Sequence, residues 1–195
     1  NYYKPLQDKK LLKSPDLFKR YLLSTNFDTP DQIRINTFIT HIEALKQGKN
    51  IKMPIYDHTT TTVIDYKITH SAQYIIVEGL FIMTIPEIRE LFDITIFVDV
   101  NESVSLERRI KRDISNRGNT EDVIRQQYYK FVKPSYHEHI MPHKNTTNYI
   151  IENNGNNTED GFNEQIGCFV ISLLIDAEND YNGKIEFKPF YLSSN

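Results

Sequence analysis

An α/β fold, with a mostly parallel sheet covered by helices on both faces, is predicted by three observations. Short apolar runs (Tyr74-Ile75-Ile76-Val77, Thr95-Ile96-Phe97-Val98 and Asn148-Tyr149-Ile150-Ile151) have strand length and too few polar residues for a strand with a wet face. Segments with helical apolar spacing lie between them, and that alternation is the signature of parallel strands joined by crossovers. The first two runs end in carboxylates, Glu78 and Asp99, at the strand ends where ligands bind in such folds.

The elements follow in order. Residues 1–23 are mixed and basic, with Tyr2-Tyr3-Lys4-Pro5 at the front. Thr29-Pro30-Asp31-Gln32 reads as a capping box with proline in the first turn. The helix it starts carries Ile35, Phe38, Ile39, Ile42 and Leu45 on one stripe, and Gly48 ends it. Residues 51–72 alternate (Val63, Ile64, Tyr66, Ile68) and predict a small antiparallel hairpin. Residues 74–77 predict a buried parallel strand. Thr84-Ile85-Pro86-Glu87 is a second capping box, opening a short helix to Phe92. A strand over 95–99 and a helix over about 102–117 come next, stopped by Gly118; a further helix runs from Asn119 or Thr120 to Val132, with Pro134 beyond it. Residues 148–151 predict a strand, 153–161 an Asn/Gly-rich loop, 162–177 an apolar helix and 184–187 a strand in a polar tail. One domain is expected over 1–177, with a tail over 178–195.

Composition narrows the function. The 195 residues carry a net charge of −3, so a broad nucleic-acid-binding face is not expected. No apolar stretch reaches the length of about 18 residues that a membrane span needs, and no signal peptide is visible. The single cysteine, Cys168, suits a reducing compartment, and a cytoplasmic protein is expected. Against this acidic background Glu107-Arg108-Arg109-Ile110-Lys111-Arg112-Asp113-Ile114-Ser115-Asn116-Arg117-Gly118 is a local basic device. Guanidinium groups are permanently charged and shaped for phosphate oxygens. Arg109 and Arg112 share a helix face, and Arg117 lies near its end. Such arginines can swing over a triphosphate, which suits phosphoryl transfer, a reaction of positioning and charge stabilisation.

Four more positions complete the candidates. Glu78 follows an apolar run directly, where a carboxylate can hold Mg²⁺ through water. Tyr56-Asp57-His58 offers rings for a planar ligand. Asp28 is suited to accept hydrogen bonds from sugar hydroxyls or to cap a helix. His137-Glu138-His139 with His143 lacks the i, i+4 pair of a helical zinc site, so no zinc is expected there.

Read together, Asn1-Tyr2-Tyr3-Lys4, Asn26-Phe27-Asp28-Thr29-Pro30-Asp31, Pro54-Ile55-Tyr56-Asp57, Ile76-Val77-Glu78-Gly79, Phe97-Val98-Asp99, Arg108 to Asp113, Arg117-Gly118, Gln127-Tyr128 and Phe131-Val132-Lys133-Pro134 form an ordered set. It resembles the uridine kinase family, within the P-loop nucleoside kinase and phosphoribulokinase group, over about residues 1–153. The resemblance implies phosphorylation of uridine or cytidine at the 5′-hydroxyl by ATP or GTP with Mg²⁺. It implies Glu78 as the Mg²⁺-side carboxylate, Asp28 and Arg109 as ribose contacts, and Tyr3, Tyr56 and Gln127 as nucleoside-pocket residues. Arg112 and Arg117 correspond to phosphate-lid residues. Its implied partners are a small nucleoside and nucleotide, with neither nucleic acid nor membrane, and a homo-oligomer.

The departures are specific. The family's phosphate loop, G-x-x-x-x-G-K-[ST], does not occur in residues 1–195. Its general-base aspartate corresponds to the position immediately before Asn1. The expectation is therefore that an N-terminal strand, phosphate loop, first helix and second strand precede this sequence, which alone is expected to be inactive. Thr61 stands where the family reads the base with histidine, and Asn119 where it has a second ribose arginine; His58, three residues before Thr61, is a substitute reader. A kinase-derived binding module and a related kinase with another acceptor fit the same residues.

Overall fold

Alternation and helical spacing place most elements of the first half where they fall in space. The computed structural model describes residues 2–154 and the backbone of 191–192. The chain divides into two units, Asn1–Asp93 with Arg109–His143, and Ile94–Arg108 with Lys144–Asn195.

In the first unit, a 3₁₀ turn at Lys9–Lys13, capped by Asp8 through the Lys10 N–H, leads into α1, Pro15–Ser24. Helix α2 spans Ile35–Lys46 and buries Phe38, Ile42 and Leu45, the stripe its spacing requires. Gly48 ends this stretch with φ 76°, a left-handed conformation that favours glycine. Strands β1, Ile51–Asp57, and β2, Thr62–Thr69, pair antiparallel with a bulge between Ile55 and Tyr56. Asp57 closes the hairpin tip by accepting from the Thr59 N–H at 2.8 Å and the Thr60 hydroxyl at 2.6 Å. The core of the unit is Phe38, Ile42, Ile85 and Ile88, with Tyr2, Val77, Leu91 and Phe92 packed against it.

The second unit holds three parallel strands in the order β3-β4-β5: Ile96–Asp99, Tyr149–Glu152 and Tyr191–Leu192. Asn148 Oδ1 accepts from both the N–H and the hydroxyl of Thr95 at 2.8 Å, which fixes the β3–β4 register. Asp99, at the end of β3, is paired with Lys144 at 2.6 Å. Helix α4, Glu102–Arg117, follows, and the division between units falls within it. Mixed helices with one parallel and one antiparallel sheet match the expected α/β class.

Four local expectations are corrected. Residues 74–77 are not a strand, and Ile76 is 81% exposed. A strand exists only by pairing, and among the described residues none pairs with this run; the buried parallel strand expected there has neither its neighbour nor, at Ile76, its burial. Neither capping box caps. Thr29 makes no side-chain cap, and Pro30–Gln32 is a single 3₁₀ turn, because Lys4 N–H bonds to Gln32 O at 2.6 Å and Arg34 N–H to Tyr2 O at 2.8 Å, holding Ile33 extended. Thr84 instead donates its hydroxyl to His139 O at 2.6 Å, and α3 is only Pro86–Arg89. The helix expected to stop before Pro134 does not stop. After α5, Glu121–Gln127, winding continues through π-helical turns at Tyr128–Val132 and Tyr136–Ile140, with Lys133–Ser135 between them. The wide turns close on i−5 carbonyls, Lys133 N–H on Tyr128 O and Met141 N–H on Tyr136 O, which absorbs the N–H that Pro134 lacks. The helix expected over 162–177, the strand over 184–187 and Cys168 lie outside the described residues. Among the described residues no helix is long and apolar enough to cross a membrane.

Ile88 is 1% exposed at the centre of the first unit's core. Ile88→Ala is expected to lower unfolding stability by about 3 kcal/mol in chemical denaturation; a loss below about 1 kcal/mol would contradict this core assignment.

Candidate functional site

The site is built around a carboxylate. Helical spacing sets Arg109 four residues before Asp113 and Arg117 four residues after it, so both lie over it on one face of α4. Asp113 is 1% exposed. Its Oδ1 accepts from Arg112 Nε at 2.8 Å and lies 3.5 Å from Arg117 Nη1, and its Oδ2 lies 3.6 Å from Arg109 Nε. Arg112 and Arg117 remain about half exposed, whereas Arg109 is more enclosed. Three guanidinium groups on one carboxylate leave a net positive surface.

Asp28 stands in the field of this cluster. Burial raises its pKa above the usual carboxylate value, against the opposing pull of Arg109, Arg117 and Arg112. Its backbone is fixed from far along the chain: the buried Ser135 hydroxyl donates to Asp28 O, and Asp28 N–H bonds to Asn26 Oδ1 at 2.9 Å. Ser135 sits in the short α-helical turn between the two wide turns, so this irregular helix anchors Asp28.

Three rings form a wall. Tyr3, Tyr56 and His58 have mutual ring-centroid distances of 5.8, 5.5 and 5.1 Å, the two contacts to His58 being edge-on. Tyr3 is held by its bridge to Ile33, and the next residues by Leu6 N–H on Thr61 O at 2.8 Å. Tyr56 OH reaches Lys4 O at 3.4 Å. Burial is the main cause of each shift here: Tyr56 is pushed up to about 12, Tyr3 is raised with help from Asp28, and His58 is lowered with help from Arg117. His58 is therefore neutral over a wider pH range than a free histidine.

Thr61 takes no part in this wall. It is 5% exposed with φ 52°, a conformation unusual for a β-branched residue, and its hydroxyl is buried with no hydrogen-bond partner among the described residues. Gln127 closes α5, half-buried, without a hydrogen bond to any of these residues. Glu78 is exposed, and its charge helps to raise the Tyr3 pKa.

Tyr3, Asp28, Tyr56, His58, Arg109, Arg112 and Arg117 are thus brought together, all within the first unit. Sequence reasoning named Asp113 but assigned it no role. The available signal was its position, four residues from two arginines and next to a third. Among the described residues no cluster of three or more His, Cys, Asp or Glu is arranged to hold a metal ion. Magnesium needs no such cage, because it keeps most of its waters and takes one or two carboxylates plus phosphate oxygens. A single exposed glutamate fits that donor set.

Comparison with known proteins places the chain in a family. The model of the phosphoribulokinase / uridine kinase family matches residues 8–159. The uridine kinase of Streptococcus thermophilus is 37% identical over 137 residues, covering 70% of this chain and 65% of that protein. The uridine kinase of Clostridium perfringens is 36% identical over 158 residues, covering 80% and 72%. The uridine-cytidine kinase-like 1 protein of Mus musculus is 37% identical over 134 residues, covering 68% of this chain and 24% of its own length. The chain therefore spans about a quarter of the mouse protein and about two thirds of the streptococcal enzyme. With the family match extending over most of its length, the chain belongs to the phosphoribulokinase / uridine kinase family.

Proposed function

We propose that the protein is a nucleoside kinase that transfers the γ-phosphoryl group of ATP or GTP to the 5′-hydroxyl of uridine or cytidine. The observation that carries this reading is the three-arginine cluster on Asp113 beside Asp28 and the ring wall: a phosphate-shaped charge next to a sugar-shaped acceptor and a ring-shaped surface. In the reaction the 5′-oxygen bonds to the γ-phosphorus as the bridging oxygen of the nucleotide leaves, and the hydroxyl proton passes to a base. The family's base aspartate and phosphate loop are not among residues 1–195.

The residues present have distinct tasks. Asp28 accepts from ribose hydroxyls, with Arg109 on the same sugar. Tyr3, Tyr56 and His58 hold the pyrimidine plane, with Gln127 at the pocket's margin. Arg112 and Arg117 place positive charge where the transferring group becomes most anionic, and they displace water from it. Glu78 would hold Mg²⁺ through water, and the bound ion would neutralise charge between the donor's phosphates. The reading places this chemistry in the cytoplasm, on small molecules, in a homo-oligomer.

A different acceptor is favoured by one observation. Thr61 corresponds to the position from which the family reads the base, yet its hydroxyl is buried with no hydrogen-bond partner among the described residues. It offers a ligand no polar atom, so reading of the ring falls to His58. A panel of pyrimidine nucleosides and other hydroxylated small molecules separates the two acceptor classes.

Two outcomes are expected. In the natural polypeptide, Arg112→Ala should reduce kcat for uridine phosphorylation by roughly a hundredfold while the fold is retained. Unchanged turnover would remove Arg112 from the reaction. The second concerns pH. His58 has a folded pKa below its unfolded value, so its contribution to stability is present above about pH 6.5 and is lost as pH falls through the folded pKa. His41, lowered by burial and Arg34, acts in the same window. Thermal melts below about pH 6.5 should therefore show a shallower loss for His58→Gln than for the wild type; identical slopes would mean that His58 is not held neutral by its surroundings.

A further inference from the structure

We propose that Asp113 is a positioning residue for polyphosphate: it grips the inner edges of the lid arginines so that their outer edges face an incoming phosphate chain. This rests on reading the site as one that handles phosphate, but not on the identity of the acceptor.

The geometry is layered. The Asp113 side chain is 2% exposed, Arg109 21%, Arg117 45% and Arg112 51%, so the carboxylate lies beneath and the guanidinium groups spread above it. Arg112 donates to Asp113 through Nε at 2.8 Å, whereas Arg109 Nε faces Oδ2 at 3.6 Å as an ion pair without a hydrogen bond. A guanidinium held by Nε has its Nη1/Nη2 edge directed elsewhere, and that edge is the fork that matches two phosphate oxygens. Arg117 approaches through Nη1 at 3.5 Å from the following turn. One negative charge thus organises three positive ones, and the surplus is presented on the accessible side. Free arginines carry large rotamer freedom, which an anion would otherwise have to freeze on binding. A carboxylate that orders them in advance makes a better phosphate site even though its own charge repels phosphate.

That opposition of signs makes the inference testable. Asp113→Asn keeps the shape and one acceptor oxygen but removes the charge. If Asp113 were only a counter-charge, inorganic tripolyphosphate would bind the variant more tightly. If it positions the arginines, binding weakens. Isothermal titration of the natural polypeptide with tripolyphosphate at fixed salt is expected to show about three- to tenfold weaker binding for Asp113→Asn. The loss should vanish when the substitution is made in an Arg112→Ala/Arg117→Ala background. Equal or tighter binding by Asp113→Asn, the same fold loss in both backgrounds, or no tripolyphosphate binding by the wild type would each overturn the proposal.

Asp113→Glu serves as the second variant if the asparagine protein does not fold. It retains the charge but moves it by one methylene, so a positioning role predicts weaker binding and a counter-charge role predicts unchanged binding. A failure of the kinase reading looks different. If the wild type transfers phosphate to no nucleoside while the coupling between Asp113 and the arginines persists, the reaction is misassigned and the positioning role stands.

Discussion

Burying a carboxylate is unfavourable unless positive partners and hydrogen bonds replace the water it loses. Asp113 has lost nearly all of its water and is surrounded by Arg109, Arg112 and Arg117, so the arginines are arranged where the carboxylate needs them. The dependence also runs the other way. Three guanidinium groups on one helix end repel one another, and without a shared anion their lowest-energy arrangement is splayed into solvent. Helix geometry brings Arg109 and Arg117 within reach of Asp113 because each is four residues away. Beyond them Gly118, at φ 65°, turns the chain out of the helix, leaving Arg117 in the last turn. The cluster is a property of one helix, while its charge acts on residues distant in sequence.

Those residues are assembled by backbone contacts of long range. The segment carrying Tyr3 lies against residues 32–34 on one side and is tied to the hairpin tip at Thr61 on the other. This places Tyr3 against Tyr56 and His58, and it brings the sugar-binding candidate Asp28 into the same field. Ser135 fastens Asp28 from 107 positions away. Asp28 is also buried there, and that burial outweighs the pull of three arginines and leaves its carboxyl harder to ionise than a free one. Such partial desolvation is unfavourable for folding but strengthens every hydrogen bond the carboxylate makes to a ligand.

How much of this was legible in the sequence depends on how local each feature is. Helix α4 and the hairpin were placed correctly because helical spacing and alternation are written in consecutive residues. The arginines were likewise legible as one basic cluster, because their spacing is set by a single helix. Residues 74–77 are not the buried strand expected because both burial and pairing require neighbours that the apolar run itself does not encode. The capping boxes failed for a related reason. Thr29 and Thr84 have the right side chains, but tertiary hydrogen bonds at Ile33's neighbours and at His139 compete with the cap and prevail. Pro134 stops a regular α-helix, and it was read so; a turn closing on the fifth residue back removes the conflict.

Asp113 was the most instructive omission, since an acidic residue inside a basic run reads as neutralisation, a weakening of the device. In space it is the reverse. The charge it subtracts is uniform, but the order it imposes is directional, and phosphate recognition by a guanidinium depends on direction as much as on charge. The same reasoning applies to Thr61, whose hydroxyl is suited to ligand contact by chemistry yet is buried, while His58 three residues earlier is held in the ring wall. In both places residue type gave the chemistry available, and only the packing around it decided whether a ligand could use it.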